Sequence, residues 1–367
     1  MHRSTPPFRA DQVGSFLRPK HLLEARAKRE HGEISAEDLE KIEDAAIEKL
    51  VAKQESLGLE TASDGEFRRT FWHLDFLEEL DGVERYEASH GIQFKGGQTK
   101  AWGLKVNGKL GFSDSHPMLK HFRFLKEHSK VVPKMTIPSP SVLHFRGGRK
   151  TVSTDVYPGM DQFYHDLGEA YLKAVQAFAA DGCTYLQLDE VNFTYLCDPD
   201  QREMLRARGD DPAALPAIYA AMINKSVSEI PSKMTITMHL CRGNFKSMWI
   251  GSGGYEPVAD VLFNAVNVHG YFMEYDTERA GGFEPLRFVP KGKLVVLGLV
   301  TSKHGALETK DELKRRIDEA AKFIDLDQLC LSPQCGFAST EEGNVLSEDQ
   351  QWAKIVRVIE VAREVWG

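Results

Sequence analysis

Two side chains that commonly bind metals stand two positions apart near the end of a short apolar run. The run is Met234–Met238, and His239 and Cys241 follow it. If the run is a β-strand that continues to Cys241, alternation places both side chains on one face of it. Imidazole and thiolate are typical ligands of tetrahedral zinc. Because so short a motif also fits a buried histidine beside a buried cysteine, the rest of the chain must decide between the two interpretations.

The composition is that of an ordinary globular protein and excludes several classes of function. The chain has 367 residues, of which 42% are hydrophobic and 27% charged, with a net charge of −8. It has no basic stripe that would favour nucleic acid and no apolar run near the roughly 20 residues that span a bilayer. Five cysteines at irregular spacing do not form a disulfide framework. The first residues show no secretory signal, so we expect a cytoplasmic protein.

Short apolar strands alternate with amphipathic helices along the chain, which predicts a single (β/α)₈ TIM-type barrel over residues 1–367. An open doubly wound sheet is the competing fold, but no G-x-G-x-x-G follows the first strand. The predicted strands are Asp11–Gly14, Leu59–Ser63, Val131–Ile137, Cys183–Leu188, Lys233–Met238, Val268–Met273, Leu294–Val300 and Gln328–Leu331. The predicted helices are Ala36–Leu57, Gly159–Ala180, Ala213–Ser228, Glu256–Asn264, Thr309–Phe323 and Ser347–Val365.

Residues 75–130 interrupt this alternation and are predicted to be an insertion in the barrel. Within it, Glu84–Lys95 and Trp102–Phe112 alternate in hydrophobicity, which indicates a β-hairpin. Long inserted segments are often lids or binding elements.

Reactive side chains follow the carboxyl ends of the predicted strands, and in a barrel these ends converge on the face that carries the chemistry. Glu274 and Cys335 could therefore join His239 and Cys241 around one ion. Taken singly, Glu274 would be a surface carboxylate and Cys335 a small core residue. The reactive residues at strand ends are Ser15, Glu66, Asp189, His239, Cys241, Glu274 and Cys335.

Six motifs in order make the chain resemble the cobalamin-independent methionine synthase family, specifically its catalytic C-terminal barrel. They are VGSFLRP (13–19), SDGEFRR (63–69), LQLDE (186–190), MHLCRGN (238–244), FMEYD (272–276) and SPQCG (332–336). The resemblance covers nearly the whole chain. It implies zinc ligands at His239, Cys241, Glu274 and Cys335, and an amino-acid site at Ser15, Glu66 and Asp189.

The resemblance implies zinc-dependent methyl transfer to the thiol of homocysteine, which forms methionine. Glu66 and Asp189 are then expected to bind the α-ammonium group, and Ser15 the carboxylate. Zinc deprotonates a bound thiol, and Glu274 is the expected labile ligand that gives way to the substrate sulfur.

The methyl donor is either 5-methyltetrahydrofolate or a methyl-corrinoid protein. A folate donor needs a general acid, and the histidine that serves the family after the seventh strand is replaced here by Thr301. His304 is the candidate substitute, although a surface histidine explains it equally well. Trp72 and Trp102 could stack on a flat donor, and ordinary packing is the alternative for both.

Three other functions remain open on the sequence. A zinc enzyme could alkylate another thiol, as an epoxyalkane–coenzyme M transferase does. The negative charges of Glu66 and Asp189 disfavour a sulfonate substrate such as coenzyme M. However, Arg18, Arg68 and Arg69 lie near the same strand ends and could supply positive charge. A purely structural zinc site would not bind added thiol. An NAD-type dehydrogenase is disfavoured by the missing glycine fingerprint.

Overall fold

The fold is built around seven parallel strands that follow one another in space in their chain order. A computed structural model describes residues 2–367. The strands are short and buried on both faces, as expected of a parallel sheet covered by helices. Their bounds are β1 Thr61–Ala62, β6 Val132–Pro138, β7 Tyr185–Glu190, β8 Thr235–Leu240, β9 Gly270–Glu274, β10 Leu294–Val300 and β11 Leu329–Pro333.

Residues 9–16 close the curled sheet between its two edges. Asp11 N donates to Leu331 O of β11 at 3.0 Å, and Phe16 N donates to Gly65 O just after β1 at 3.1 Å. Single parallel bridges join Ala10 to Leu331 and Ser15 to Gly65. The predicted barrel fold is therefore confirmed. The predicted first strand, Asp11–Gly14, is an irregular segment that occupies the eighth position of the barrel, beside the seven regular strands.

Local capping explains where the two longest outer helices begin and end. Helix α2 begins after Ser35, whose side chain accepts from Asp38 N, and ends at Gly58 with φ +92°. Helix α11 begins with a capping box made by Ser347 and Gln350. The helices are α1 Lys20–Glu30, α2 Ala36–Leu57, α3 Leu74–Leu77, α4 Pro117–His128, α5 Ser141–Gly147, α6 Met160–Ala180, α7 Asn192–Tyr195, α8 Pro199–Arg208, α9 Leu215–Ser226, α10 Lys310–Ala320 and α11 Glu348–Trp366.

One predicted helix is reduced to a single turn. The segment predicted as Glu256–Asn264 contains a π-helical turn at Val261–Ala265, and short 3₁₀ turns stand at Gly148–Thr151, Glu278–Ala280, Glu284–Phe288 and Leu326–Gln328. Within residues 2–367, no helix is long and apolar enough to cross a membrane.

The inserted segment forms an antiparallel pair, β2 (Asp81–Glu87) with β5 (Trp102–Gly111), and its tip carries a second small hairpin, β3 (Gln93–Phe94) with β4 (Gly97–Gln98). Helix α4 follows the pair and leads into β6. The boundaries predicted for the insertion stay a prediction.

Candidate active site

Four buried side chains with metal-binding atoms meet at the carboxyl ends of three strands. His239 lies in β8 and Cys241 directly after it, Glu274 is the last residue of β9, and Cys335 follows β11. Their ligand atoms all lie within 4.8 Å of one another. The structure thus brings together the four residues that the sequence predicts as zinc ligands.

The geometry and chemistry of this cluster fit a tetrahedral zinc ion. The sulfur atoms of Cys241 and Cys335 are 3.5 Å apart, too far for a disulfide. Two thiolates on one zinc, each at 2.3 Å, would be separated by about 3.8 Å. One nitrogen, two sulfurs and one carboxylate oxygen are all ligands that zinc accepts. The residues therefore fit the group that the family resemblance implies.

Neighbouring groups orient two of the four ligands. Asp189 Oδ1 lies 3.3 Å from Nδ1 of His239, and Nε2, the nitrogen that would face a metal, lies 3.4 Å from the carbonyl oxygen of Gln334. Glu274 Oε1 accepts from the backbone N–H of Arg242 at 2.7 Å, and its Oε2 lies 3.1 Å from the guanidinium of Arg279. Both ligands are thereby held by groups outside the cluster.

A cleft of about 460 Å³ opens beside the cluster. Ser15, Glu66 and Asp189 line it, as do His239, Cys241 and Cys335, whereas Glu274 is not among its lining residues within the described chain. The predicted substrate-binding residues and three of the predicted ligands therefore share one space.

Glu66, which lines this cleft, has one carboxylate oxygen without a hydrogen-bond partner in the described chain. Its Oε1 accepts from the hydroxyl of Thr136 at 2.9 Å and lies 3.5 Å from Arg69, while Oε2 is buried and has no hydrogen-bond partner among residues 2–367. Burial raises the pKa of Glu66; Arg69 lowers it and Asp189 raises it further. The backbone at Glu66 is left-handed, with φ +60°, a strained conformation that is concentrated at functional sites.

Ser15 is fixed by the loop that carries Cys335. Its Oγ accepts from Ala338 N at 3.3 Å, and its carbonyl accepts from Phe337 N at 2.9 Å. A Cβ on Gly336 would lie 2.0 Å from the same Oγ. Glycine at this position therefore lets the loop with the predicted metal ligand Cys335 and the predicted substrate-binding segment approach each other.

A larger groove of about 1430 Å³ adjoins the cleft, and Arg146 lines both. One wall is the inserted hairpin with Tyr86 and Trp102, and another is formed by α5 and α8. Trp72 lines the inner cleft instead. The two tryptophans singled out in the sequence thus lie on different parts of one continuous surface.

The predicted general acid does not join this site. His304 is exposed and lines neither the cleft nor the groove. Thr301, at the position of the family's acid, is buried, and its backbone N–H donates to Glu308 at 2.8 Å. The catalytic role of His304 stays a prediction to which the geometry adds no support.

Sequence reasoning missed several residues at the site. Arg146, Tyr195 and Asn244 line the cleft, and Arg279 binds Glu274. Asn244 belongs to the MHLCRGN motif and could have been found there. Arg146 and Arg279 carry no local signal, because their roles depend on contacts between loops.

Comparison with known proteins agrees with this fold and site. The model of the cobalamin-independent synthase catalytic domain matches residues 8–356. The uncharacterized protein YxjH of Bacillus subtilis is 52% identical over 362 residues, which cover 98% of this chain and 95% of that protein. The methionine synthase of Pyrococcus abyssi is 25% identical over 97% of this chain and 94% of its own length.

Solved structures give the same result for the fold. A Listeria monocytogenes protein, provisionally described as a vitamin-B12-independent methionine synthase, superposes with a TM-score of 0.80 at 40% identity, with full coverage of both chains. A B12-independent methionine synthase from Shewanella sp. W3-18-1, solved with selenomethionine, gives a TM-score of 0.67 at 20% identity, covering 91% of this chain and 90% of that one. The chain therefore belongs to the cobalamin-independent methionine synthase family and is a methyltransferase of the methionine synthase type.

Proposed function

We propose that the protein transfers a methyl group to the thiol of L-homocysteine, with zinc held by His239, Cys241, Glu274 and Cys335. The observation that carries this proposal is the shared cleft, where the acidic pair Glu66 and Asp189 faces the same space as the two cysteines. When bound, zinc would keep the substrate sulfur in its thiolate form at neutral pH.

The protein's own residues would bind and orient the amino acid. Glu66 and Asp189 supply negative charge for the α-ammonium group, and Glu66 Oε2 has no other partner within residues 2–367. The hydroxyl of Ser15 is available to the α-carboxylate. Fixing both groups would direct the side-chain sulfur toward the cysteines and provide the proximity that methyl transfer requires.

On the sequence, three arginines near the strand ends kept coenzyme M possible as a substrate. In the structure each of them binds other groups of the protein. Arg18 donates to backbone carbonyls, including Glu66 O at 2.7 Å, and Arg68 lies 2.6 Å from Asp44. Arg69 donates to Thr136 O at 2.5 Å. None of the three is among the residues that line the cleft in the described chain. Arg146 is the arginine that does line the cleft, so the preference for an amino-acid thiol over a sulfonate rests on the acidic pair Glu66 and Asp189, which lines the same space.

The groove favours a small, flat methyl donor of the folate type. The ligand atoms are buried behind a cleft that Trp72 and Phe94 line, and the adjoining groove offers the face of Trp102 and polar groups including Arg146. A slender ring system could lie in such a groove and point its methyl group inward. A corrin macrocycle would have to approach a thiolate at the bottom of a narrow cleft.

The test is a methyl-transfer assay on the zinc-loaded protein with L-homocysteine and either 5-methyltetrahydrofolate or methylcobalamin, with methionine measured by mass spectrometry. We expect methionine from the folate donor, loss of activity in Cys241→Ser, and little change in Cys197→Ser, a buried cysteine outside the cleft. Methionine from methylcobalamin alone would move the donor to the corrinoid class. Alkylation of coenzyme M without any methionine would overturn the proposal.

A further inference from the structure

We infer that Arg279 is a positioning residue that receives the Glu274 carboxylate when a substrate thiol takes its place at the metal. This inference rests on the proposed function. It assigns a role to an arginine that, within residues 2–367, lines neither the cleft nor the groove.

The starting observation is that Glu274 differs from the other three ligands. His239, Cys241 and Cys335 line the cleft, so an incoming thiol arrives on their side, whereas Glu274 is absent from the lining residues of the described chain. Its side chain is 0% exposed. A carboxylate that leaves the metal here has no access to water.

Such a carboxylate needs a partner inside the protein. A buried charge without a counter-charge costs several kcal/mol. As a ligand, Glu274 would be neutralised by the bound cation; once a substrate thiolate had taken its place, the Glu274 carboxylate would lose that neutralisation. The thiol proton leaves through the cleft to solvent, no electron changes hands, and the carboxylate remains an anion that must be compensated where it stands.

Arg279 is positioned to neutralise the negative charge of the Glu274 carboxylate. Its guanidinium lies 3.1 Å from Glu274 Oε2 and 3.5 Å from Asp276, and it stacks on the ring of Trp249 at 5.0 Å. Its backbone carbonyl accepts from Gly253 N at 3.0 Å. The 3₁₀ turn Glu278–Ala280 carries it back over the end of β9.

Arg242 also contacts Glu274, but through its backbone and not through its guanidinium. Its backbone N–H holds Glu274 Oε1, while its guanidinium is fully buried against the ring of Tyr255 at 4.4 Å. Within the described chain, Arg279 is therefore the arginine whose guanidinium forms an ion pair with the Glu274 carboxylate, at Oε2. The backbone N–H of Arg242 binds the other oxygen, Oε1.

The experiment uses the full-length protein loaded with Co²⁺ and follows the sulfur-to-cobalt absorption in the near ultraviolet as L-homocysteine is added. In wild type we expect this absorption to rise and saturate. In Arg279→Gln the half-saturating concentration should rise at least about tenfold, because displaced Glu274 would be an unpaired buried anion. Arg279→Lys keeps the charge but loses the planar guanidinium that stacks on Trp249, so its half-saturating concentration should lie between those of wild type and Arg279→Gln.

Two comparisons separate this role from a structural one. In a Glu274→Gln background there is no anion to receive, so adding Arg279→Gln should change the titration little. Arg316→Gln is the matched control, since Arg316 is a partly buried arginine that stacks on Phe283 and donates to Tyr275 O. Metal content and thermal unfolding are measured for every variant.

The outcomes are distinguishable. If wild type gains sulfur and Arg279→Gln titrates like it, or if the shift is equally large in the Glu274→Gln background, the role of Arg279 is overturned while the proposed function stands. If wild type itself gains no sulfur ligand, the proposed function fails and this inference fails with it.

Discussion

At the scale of single residues, Glu66 shows how one side chain can be prepared for a charged substrate. It is buried, its backbone is left-handed, and one carboxylate oxygen has no partner within residues 2–367. In a folded chain such a group is costly unless a ligand provides the missing hydrogen bond. The nearby positive charge, Arg69, faces Oε1, and in the proposed function Oε2 is the oxygen that binds the ammonium group.

Replacement of Glu66 by glutamine should weaken homocysteine binding. A hydrogen bond to a charged group contributes about 1.5–3 kcal/mol, so we expect kcat/KM for homocysteine to fall by about 10- to 150-fold. Steady-state kinetics check this value. Glu43→Gln is the control, because Glu43 is a buried carboxylate of α2 paired with Arg26. A variant with unchanged kcat/KM for homocysteine would remove Glu66 from the ammonium site.

The same residue predicts a pH dependence of amino-acid binding. Burial and the nearby Asp189 raise the pKa of Glu66 to about 7, against the opposing effect of Arg69; Asp64 is the remaining acidic neighbour. Below that pH the free site holds a proton on Glu66, and an ammonium group must displace it. Binding should therefore release about one proton at pH 6 and few at pH 8.5, and affinity should rise over that interval.

L-Methionine is the ligand for this measurement, because it has the ammonium group but no thiol to release a proton of its own. Calorimetry in buffers of different ionisation enthalpy counts the protons released. Glu66→Gln should abolish the difference between the two pH values. Equal proton release by wild type at both values would contradict the assignment.

The residues at the site also show what sequence can predict at this scale. His239 lies in β8 and Cys241 stands two positions later, directly after the strand, so strand alternation alone indicates their pairing. Glu274 and Cys335 need the barrel fold to bring them in, and the family motifs supply the roles of Ser15 and Asp189. Arg279 depends on the path of a loop between β9 and β10, which no local pattern specifies.

At the scale of elements, the loop after β11 links the proposed metal site to the proposed substrate-binding segment. Gly336, which follows Cys335 in this loop, lies so close to Ser15 that a Cβ on it would be 2.0 Å from Ser15 Oγ. Gly336→Ala should push Ser15 aside, with about a tenfold rise in KM for homocysteine and a loss of about 1–3 kcal/mol in stability.

Kinetics and thermal unfolding of Gly336→Ala check both effects. Gly159→Ala is the matched control, since a Cβ there meets no atom within 4 Å. If Gly336→Ala bound homocysteine normally, the position of Ser15 would not matter for the substrate.

The inserted hairpin is expected to serve the donor and not the amino acid. Trp102 lies on its second strand, lines the groove, and is covered on one side by Arg85 at 4.7 Å. Trp102→Ala should raise KM for the folate donor by about 2- to 10-fold, the value of one aromatic stacking contact, and leave KM for homocysteine unchanged. Trp352→Ala, which removes a ring stacked on Phe16 at the outer wall, is the control. An equal rise for both substrates would argue against a donor groove.

Elements with local signals were predicted well, and elements without them were missed. Helix α2 has the predicted bounds because Ser35 and Gly58 cap it, and β10 matches because it is a continuous apolar run. Helix α1 begins after Pro19 with no side-chain cap, and α4 is capped by the ring nitrogen of His116, an unusual cap that pattern reading does not recognise. Both were missed for that reason.

At the scale of the whole molecule, the proposed metal site ties together parts of the barrel that are distant in the chain. Its ligands come from the ends of β8 and β9 and the loop after β11, while residues 9–16 close the sheet between β11 and β1. A ligand that binds only the folded state stabilises it by mass action. Zinc should therefore stabilise the closed barrel as well as serve the chemistry.

Removal of zinc by a chelator should lower the thermal midpoint measurably. At a free zinc concentration 1,000 times Kd the stabilisation is about 4 kcal/mol, which for a chain of this length corresponds to about 5 °C. Removal of zinc should also speed up backbone hydrogen exchange, and mass spectrometry should find the faster exchange concentrated at the ends of β8 and β9 and in the loop with Cys335. Cys241→Ser should lose the zinc-dependent shift, whereas Cys197→Ser, outside the cluster, should retain it. A shift that survives in Cys241→Ser would mean that zinc binds elsewhere, because without that thiolate the cluster lacks one of the two sulfur ligands that favour zinc over harder cations.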